Sequence, residues 1–201
     1  LLLVVTVQYR HFSAAVTARA KLEAANHENE RLANLDSLTG LSNRRQFFAR
    51  LEQDFSNAKG RRLAVGLIDL DGFKPVNDLY GHTAGDSLLY EVGQRLLAFV
   101  GDRGHVARLG GDEFAFIVDD CPDNEALIGL GEEICAALRT PFVLSDSTVQ
   151  ISGSIGFSVY PELAEDVHQL YERADYALYK GKESNRGHAL LFSKEHVAAI
   201  E

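Results

Sequence analysis

The chain contains no methionine and no tryptophan, and its 201 residues include only two cysteines and four prolines. Without an initiating methionine, Leu1 reads as an internal residue of a longer protein. Cys121 and Cys135 have neither metal-ligand spacing nor the pairing of a small secreted scaffold, which points to a reducing compartment. No apolar run reaches the roughly 20 residues that cross a bilayer. Positive charge is also scarce: 20 Lys and Arg against 29 Asp and Glu give a net charge of −9. That balance excludes a broad basic face for a nucleic-acid polymer. It leaves a single nucleotide open, because one nucleotide needs only a few cations and backbone amides. What is present, 46% hydrophobic and 24% charged residues, suits one globular domain with an extension and excludes disorder.

Residues 1–34 form that extension. Leu1 to Val7 is uniformly apolar, and Gln8, Tyr9, Arg10 and His11 give it an aromatic and basic edge. The expected reading is the end of a transmembrane helix; the alternative is an apolar helix start packed on soluble protein. Ala15, Ala18, Leu22, Ala25, Asn29 and Leu32 then alternate spacings of three and four, a heptad-like seam. So few repeats, rich in alanine, suit a weak coiled coil or a lone solvated helix equally. No proline or glycine precedes Gly40, so one continuous helix can lead into the domain.

Residues 35–195 form the globular part, and 196–201 a C-terminal tail. After the turn at Asp36 to Gly40, Ser42 is placed to cap a helix whose apolar face is Phe47, Phe48, Leu51 and Phe55. Leu63 to Ile68 is a buried strand. Asn77 to Asp86 is polar and glycine-punctuated and precedes a helix carrying Leu88, Leu89, Val92, Leu96 and Phe99. Val106–Leu109 and Phe114–Val118 flank a glycine pair and predict a hairpin. A helix with Leu127, Leu130, Ile134 and Leu138 follows, with Cys135 as a core residue beside it. Phe142–Leu144 and Val149–Phe157 are strands around a Ser145-Asp146-Ser147 turn, and Val167, Leu170, Ala174 and Leu178 mark the last long helix.

Three places carry chemistry. Asp112 and Glu113 sit together at the hairpin tip, where Gly110 and Gly111 leave room for a ligand; the plain reading is a solvated acidic turn. Asp69 ends a buried strand, which is costly unless the acid is paired or metal-bound. Asp71 is expected to be a more exposed turn residue, Asn77 a turn former, and Asp86 a complement to a helix dipole. Lys182 and Arg186 are cations placed to meet phosphate oxygens, or simply charges suited to a helix C-terminus.

The run Gly110-Gly111-Asp112-Glu113-Phe114 resembles the signature of the GGDEF family of bacterial diguanylate cyclases. Asp69 through Asp86 is similar, position by position, to the family's D-x-D-x-F-K-x-x-N-D-x-x-G-H-x-x-G-D segment, which is far more specific. Asp36 to Arg45 resembles its D-x-L-T-x-L-x-N-R-R entry, and Lys182 and Arg186 its paired cations. The local Ser184-Asn185-Arg186-Gly187 departs from the usual wording. The likeness covers residues 34 to 193.

The resemblance implies an α/β sandwich with a mainly antiparallel central sheet flanked by helices, similar to the nucleotidyl cyclases and the polymerase palm. It implies condensation of two GTP into cyclic di-GMP and two pyrophosphates, with two Mg²⁺ (or Mn²⁺) ions per active site. Asp69, the Leu70 carbonyl, Asp112 and Glu113 would hold metal, and Glu113, Asp112 and Asp69 would be the catalytic acids. Phe73, Lys74, Asn77, His82, Asp86, Gly110, Gly111, Lys182 and Arg186 would bind substrate, with Asn77 and Asp86 reading guanine. The partner would be a second copy, paired through the N-terminal helix and facing catalytic domains. The setting would be the bacterial inner membrane, reached through the N-terminal region, with the catalytic domain in the cytoplasm and the present fragment soluble. The family's inhibitory product site uses an Arg nine residues and an Asp six residues before the first glycine of the turn. Here those positions are Gly101 and Gly104, so that site is expected to be missing. The rival readings are a silent GTP or cyclic di-GMP receptor and a purely structural dimerisation module.

Overall fold

A computed structural model of the chain describes residues 19, 21, 32–121, 123–144 and 147–200. The apolar run 1–7, all of the heptad-like seam except Leu32, and Ser145 and Asp146 of the expected turn lie outside the described residues. Two compact units are present, Leu1–Leu35 and Asp36–Glu201.

The second unit runs α1 (Arg44–Ala58), β1 (Leu63–Asp71), α2 (Phe73–Tyr80), α3 (His82–Val100), a 3₁₀ turn (Gly101–Arg103), β2 (Gly104–Gly110) and β3 (Glu113–Asp119). Then come α4 (Asn124–Arg139), β4 (Phe142–Val143), β5 (Thr148–Val149), β6 (Ser152–Tyr160), α5 (Val167–Ser184), β7 (Ala189–Leu191) and α6 (Lys194–Ile200). The main sheet has the order β2-β3-β1-β6-β7; every pairing is antiparallel except β6 with β7. The expected mainly antiparallel sandwich is therefore the observed fold.

β1 lies at the centre, and strand periodicity divides its side chains between two cores. Leu63, Val65 and Leu67 join Phe47 and Leu51 of α1 and Leu170, Ala174 and Leu178 of α5. Ala64, Ile68 and Leu70 join Leu88, Val92 and Leu96 of α3 and Ile134 and Leu138 of α4. The same alternation carries Asp69 and Asp71 toward the α5 face. Gly156 of β6 makes that layer tight: a Cβ there would stand 2.2 Å from both the Ala174 carbonyl oxygen and the Leu178 nitrogen. The α5 backbone therefore rests directly on β6.

Several local expectations are corrected. Asn43, not Ser42, caps α1, its side chain accepting from the Gln46 N–H; Ser42 instead offers its carbonyl to the Arg108 N–H. Asn77 to Asp86 is helical apart from Gly81, whose φ of 83° joins α2 to α3, so Asn77 is a helix residue and Asp86 lies inside α3. The strand expected over Val149–Phe157 breaks at Gln150 and Ile151, where the Gln150 amide turns to donate to the Arg139 carbonyl. β7 is an addition, and residues 196–200 of the expected C-terminal tail belong to a helix that starts at Lys194.

Candidate active site

The register of β1 against β3 sets Asp69 opposite Glu113. Facing residues of an antiparallel pair share a side of the sheet, here the side of Ala115, Ile117 and α5. Two carboxylates so placed repel, and a cation offsets the cost. Lys182, in the last turn of α5, supplies it: its Nζ stands 2.6 Å from Asp69 Oδ1, with the two side chains only 25% and 22% exposed. Asp69, Glu113, Lys182, Arg186, Asp175 and Tyr179 line one cavity of about 420 Å³. The acid at the strand end and the two C-terminal cations, far apart in sequence, thus meet in one place.

The hairpin tip is braced from behind. Gly111 holds φ at 53°, the positive value a tight hairpin turn asks of its first loop residue, and a Cβ on it or on Gly110 would enter open space. Arg108 donates through Nε (3.1 Å) and Nη2 (2.8 Å) to the Gly111 carbonyl. Its Nη1 reaches both oxygens of Asp36 at 3.1 Å. Burial alone would push the Asp36 carboxyl up; the hydrogen bonds from Thr39 and the Arg108 cation hold it below its ordinary value instead. The Leu70 N–H, at 3.3 Å from the Asp112 carbonyl, fastens the tip to β1.

Beyond β1, Gly72 opens α2 with no side-chain cap, and Pro75 contributes no N–H. The amides of Phe73 and Lys74 therefore form an electropositive helix end beside the acids. Phe73 itself is buried and Lys74 exposed. The expectation for Asp71 fails: its side chain is 9% exposed and accepts from Ser154 Oγ (2.7 Å), Ser152 Oγ (3.3 Å) and Arg186 Nη1 (2.9 Å). Alternating exposure applies to a sheet with one solvated face; β1 is covered on both.

On the far side of α2 a different close approach operates. A Cβ on Gly85 would stand 1.9 Å from Asn77 Oδ1, so glycine at 85 is what lets the Asn77 carboxamide lie against α3. One residue on, Asp86 is exposed and lines a second cavity of about 410 Å³ with Leu38, Thr83, Tyr90, Val143 and Leu144. Ser87 and Glu91 add further polar groups to the wall carrying Asp86. His82 is an exposed residue at the start of α3.

Asp69, Glu113, Lys182 and Arg186 are thus gathered, and Asp86 lies on the second cavity. Asp112, Lys74, Asn77 and His82 line neither cavity. The candidate metal donors, Asp69, Asp112, Glu113 and the Leu70 carbonyl, are all oxygen atoms, which fits Mg²⁺ or Mn²⁺. Among the described residues no three His, Cys, Asp or Glu side chains form a ready cage. Cys135 is the core residue expected, its thiol pushed up to about 12 by burial first and by Glu132 second.

At Gly101 and Gly104, the two positions where that inhibitory site is expected to be missing, the backbone disfavours side chains. Gly101 adopts φ 53°, ψ −142°, a conformation essentially confined to glycine. A Cβ on Gly104 would stand 1.9 Å from the Ile117 carbonyl oxygen.

Comparison with known proteins agrees with this fold. The profile of the family described as "Diguanylate cyclase, GGDEF domain" matches residues 33–188. The bifunctional diguanylate cyclase/cyclic di-GMP phosphodiesterase MucR of Pseudomonas aeruginosa is 40% identical over 193 residues, 94% of this chain and 28% of MucR. Diguanylate cyclase TpbB of the same species is 39% identical over 172 residues, 84% of this chain and 40% of TpbB. The chain therefore spans well under half of either relative. Among solved structures, the isolated GGDEF domain of TpbB superposes with a TM-score of 0.78 at 37% identity, covering 83% of this chain and 98% of that one. The coiled coil and GGDEF domain of DgcB from Caulobacter crescentus, in complex with c-di-GMP, gives 0.82 at 26% identity, covering 90% and 97%. With the fold and the family profile in agreement, the chain belongs to the GGDEF-domain family of diguanylate cyclases.

Proposed function

We propose that this chain condenses two molecules of GTP into cyclic di-GMP, releasing two pyrophosphates. The observation that carries the reading is the Asp69–Glu113 pair, set face to face by strand register, with Lys182 and Arg186 on the same cavity. Each 3′-hydroxyl oxygen attacks the α-phosphorus of the other GTP, and the bond to the departing pyrophosphate breaks. Such chemistry needs positioning and charge neutralisation more than covalent groups. Asp69, the Leu70 carbonyl, Asp112 and Glu113 would hold Mg²⁺, which would supply that neutralisation and make the hydroxyl more acidic. Lys182, Arg186 and the α2 amides hold the terminal phosphates, and Glu113 stands at the hairpin tip as metal holder or proton acceptor. One domain holds one GTP, so the symmetric product requires two domains face to face. The N-terminal extension is then the device that controls pairing, and its apolar run the link to the membrane.

Asp86 sets base choice. A carboxylate accepts from guanine N1–H and the 2-amino group, and adenine offers no such pair. From an equimolar mixture of GTP and ATP with Mg²⁺, chromatography should find cyclic di-GMP with adenine-containing product below about one part in ten. Asp86→Ala should raise that share, and comparable incorporation of both bases by the unaltered chain would contradict the assignment.

A second reading has its own support. The relative NbdA, named a cyclic di-GMP phosphodiesterase, is 37% identical over 177 residues, which make up 22% of it. A GTP-binding but silent domain inside a larger protein is therefore the alternative, and turnover of GTP separates the two.

Product inhibition at the usual site is not expected. Grafting Gly101→Arg with Gly104→Asp should cost about 1–3 kcal/mol in urea unfolding and create no site, because the Asp Cβ collides with β3. Tight calorimetric binding of cyclic di-GMP by the unaltered chain that disappears on Arg103→Ala would show that a shifted loop replaces it.

A further inference from the structure

We infer that Asp71 is a positioning residue for the triphosphate: it aims the Arg186 guanidinium into the cavity shared with Asp69 and Glu113. The inference rests on the GTP reading above. Arg186 lies two residues past the end of α5, and its side chain is 62% exposed. A long side chain in water samples many rotamers, and fixing it costs side-chain entropy that a ligand must otherwise meet. Asp71 meets it in advance. Its carboxylate is nearly buried and takes one guanidinium N–H at 2.9 Å on Oδ1, while Ser154 and Ser152 hold Oδ2.

The anchor extends past the side chains. Ser154 Oγ also accepts the Gly187 N–H at 3.0 Å, and the Gly187 carbonyl accepts from Arg139 at 2.7 Å. The residue after Arg186 is thus pinned on both sides to β6 and α4. A guanidinium presents five N–H donors in a rigid fork, so one edge can rest on Asp71 while the other meets phosphate. Lys182 is held in parallel by Asp69. The two neighbouring acids of one strand therefore have different work: Asp69 belongs to the metal and the reacting groups, Asp71 to the cation that grips the leaving phosphates. The opposite possibility is that Asp71 competes with phosphate for Arg186, and it predicts the opposite sign.

Calorimetry with 3′-deoxy-GTP and 3′-deoxy-GMP in Mg²⁺ decides, because neither analogue carries the attacking hydroxyl. Asp71→Asn and Arg186→Ala should each weaken 3′-deoxy-GTP about tenfold and 3′-deoxy-GMP less than about twofold. The double variant should bind no more weakly than Arg186→Ala alone. Ser154→Ala keeps every charge and should lose about threefold for the triphosphate only; it decides the matter if Asp71→Asn does not fold. Unchanged or tighter triphosphate binding, equal weakening of both analogues, or additive losses in the double variant would overturn the inference alone. An unaltered chain that binds neither analogue would overturn the GTP reading, and this inference with it.

Discussion

Replacing Asp69 with asparagine is expected to lower cyclic di-GMP formation by about 10³-fold or more while the protein remains folded. The loss is large because Asp69 is the acid on which the site converges: Glu113 faces it across the sheet and Lys182 touches it. Asparagine keeps the shape but cannot neutralise a cation or hold Lys182. The effect on stability is small by comparison. One partly buried ion pair is lost, and one like-charge opposition is relieved, so the unfolding free energy should change by about 1 kcal/mol or less. Asp112→Asn should behave the same way, since the Asp112 carbonyl, not its carboxylate, makes the bond to Leu70. Near-normal turnover with an unchanged circular dichroism spectrum would remove Asp69 from the catalytic set.

The second large effect lies away from the chemistry. Gly156→Ala is expected to cost about 3 kcal/mol or more in urea unfolding, at the top of the range for overpacked cores. The added methyl meets backbone atoms of Ala174 and Leu178, which cannot rotate aside as a side chain would. α5 must lift from β6, and α5 carries Lys182 and leads to Arg186. Folded protein that survives should therefore also bind the triphosphate more weakly than the monophosphate. A loss under about 1 kcal/mol would mean that the helix slides on the sheet without resistance.

The sequence reveals what periodicity and short motifs encode. The buried strand at Leu63–Ile68, the hairpin around Gly110 and Gly111, the stripes of α3, α4 and α5, and the family signatures could all be read locally, and the fold agrees with them. What escaped depends on partners distant in the chain. Arg108 and Asp36 are 72 residues apart and meet only because the hairpin edge runs beside the entry loop. Alternation implies exposure at Asp71 only for a sheet with one solvated face, whereas β1 is buried between two helical layers. Gly85 reads as punctuation, yet a side chain there would displace Asn77. Ser42 and Asn43 are both competent caps, and a β-bridge to Ala107 takes Ser42. β7, three residues long, has too little sequence to show a pattern.

A cyclase converts the GTP it binds, whereas a silent domain returns it unchanged. Incubating the chain with GTP and Mg²⁺ and resolving the nucleotides by mass spectrometry tests this directly. The predicted result is one cyclic di-GMP for every two pyrophosphates, at a rate per protomer that rises with protein concentration. GTP recovered unchanged, at protein concentrations where the chain is dimeric and saturated with nucleotide, would contradict it.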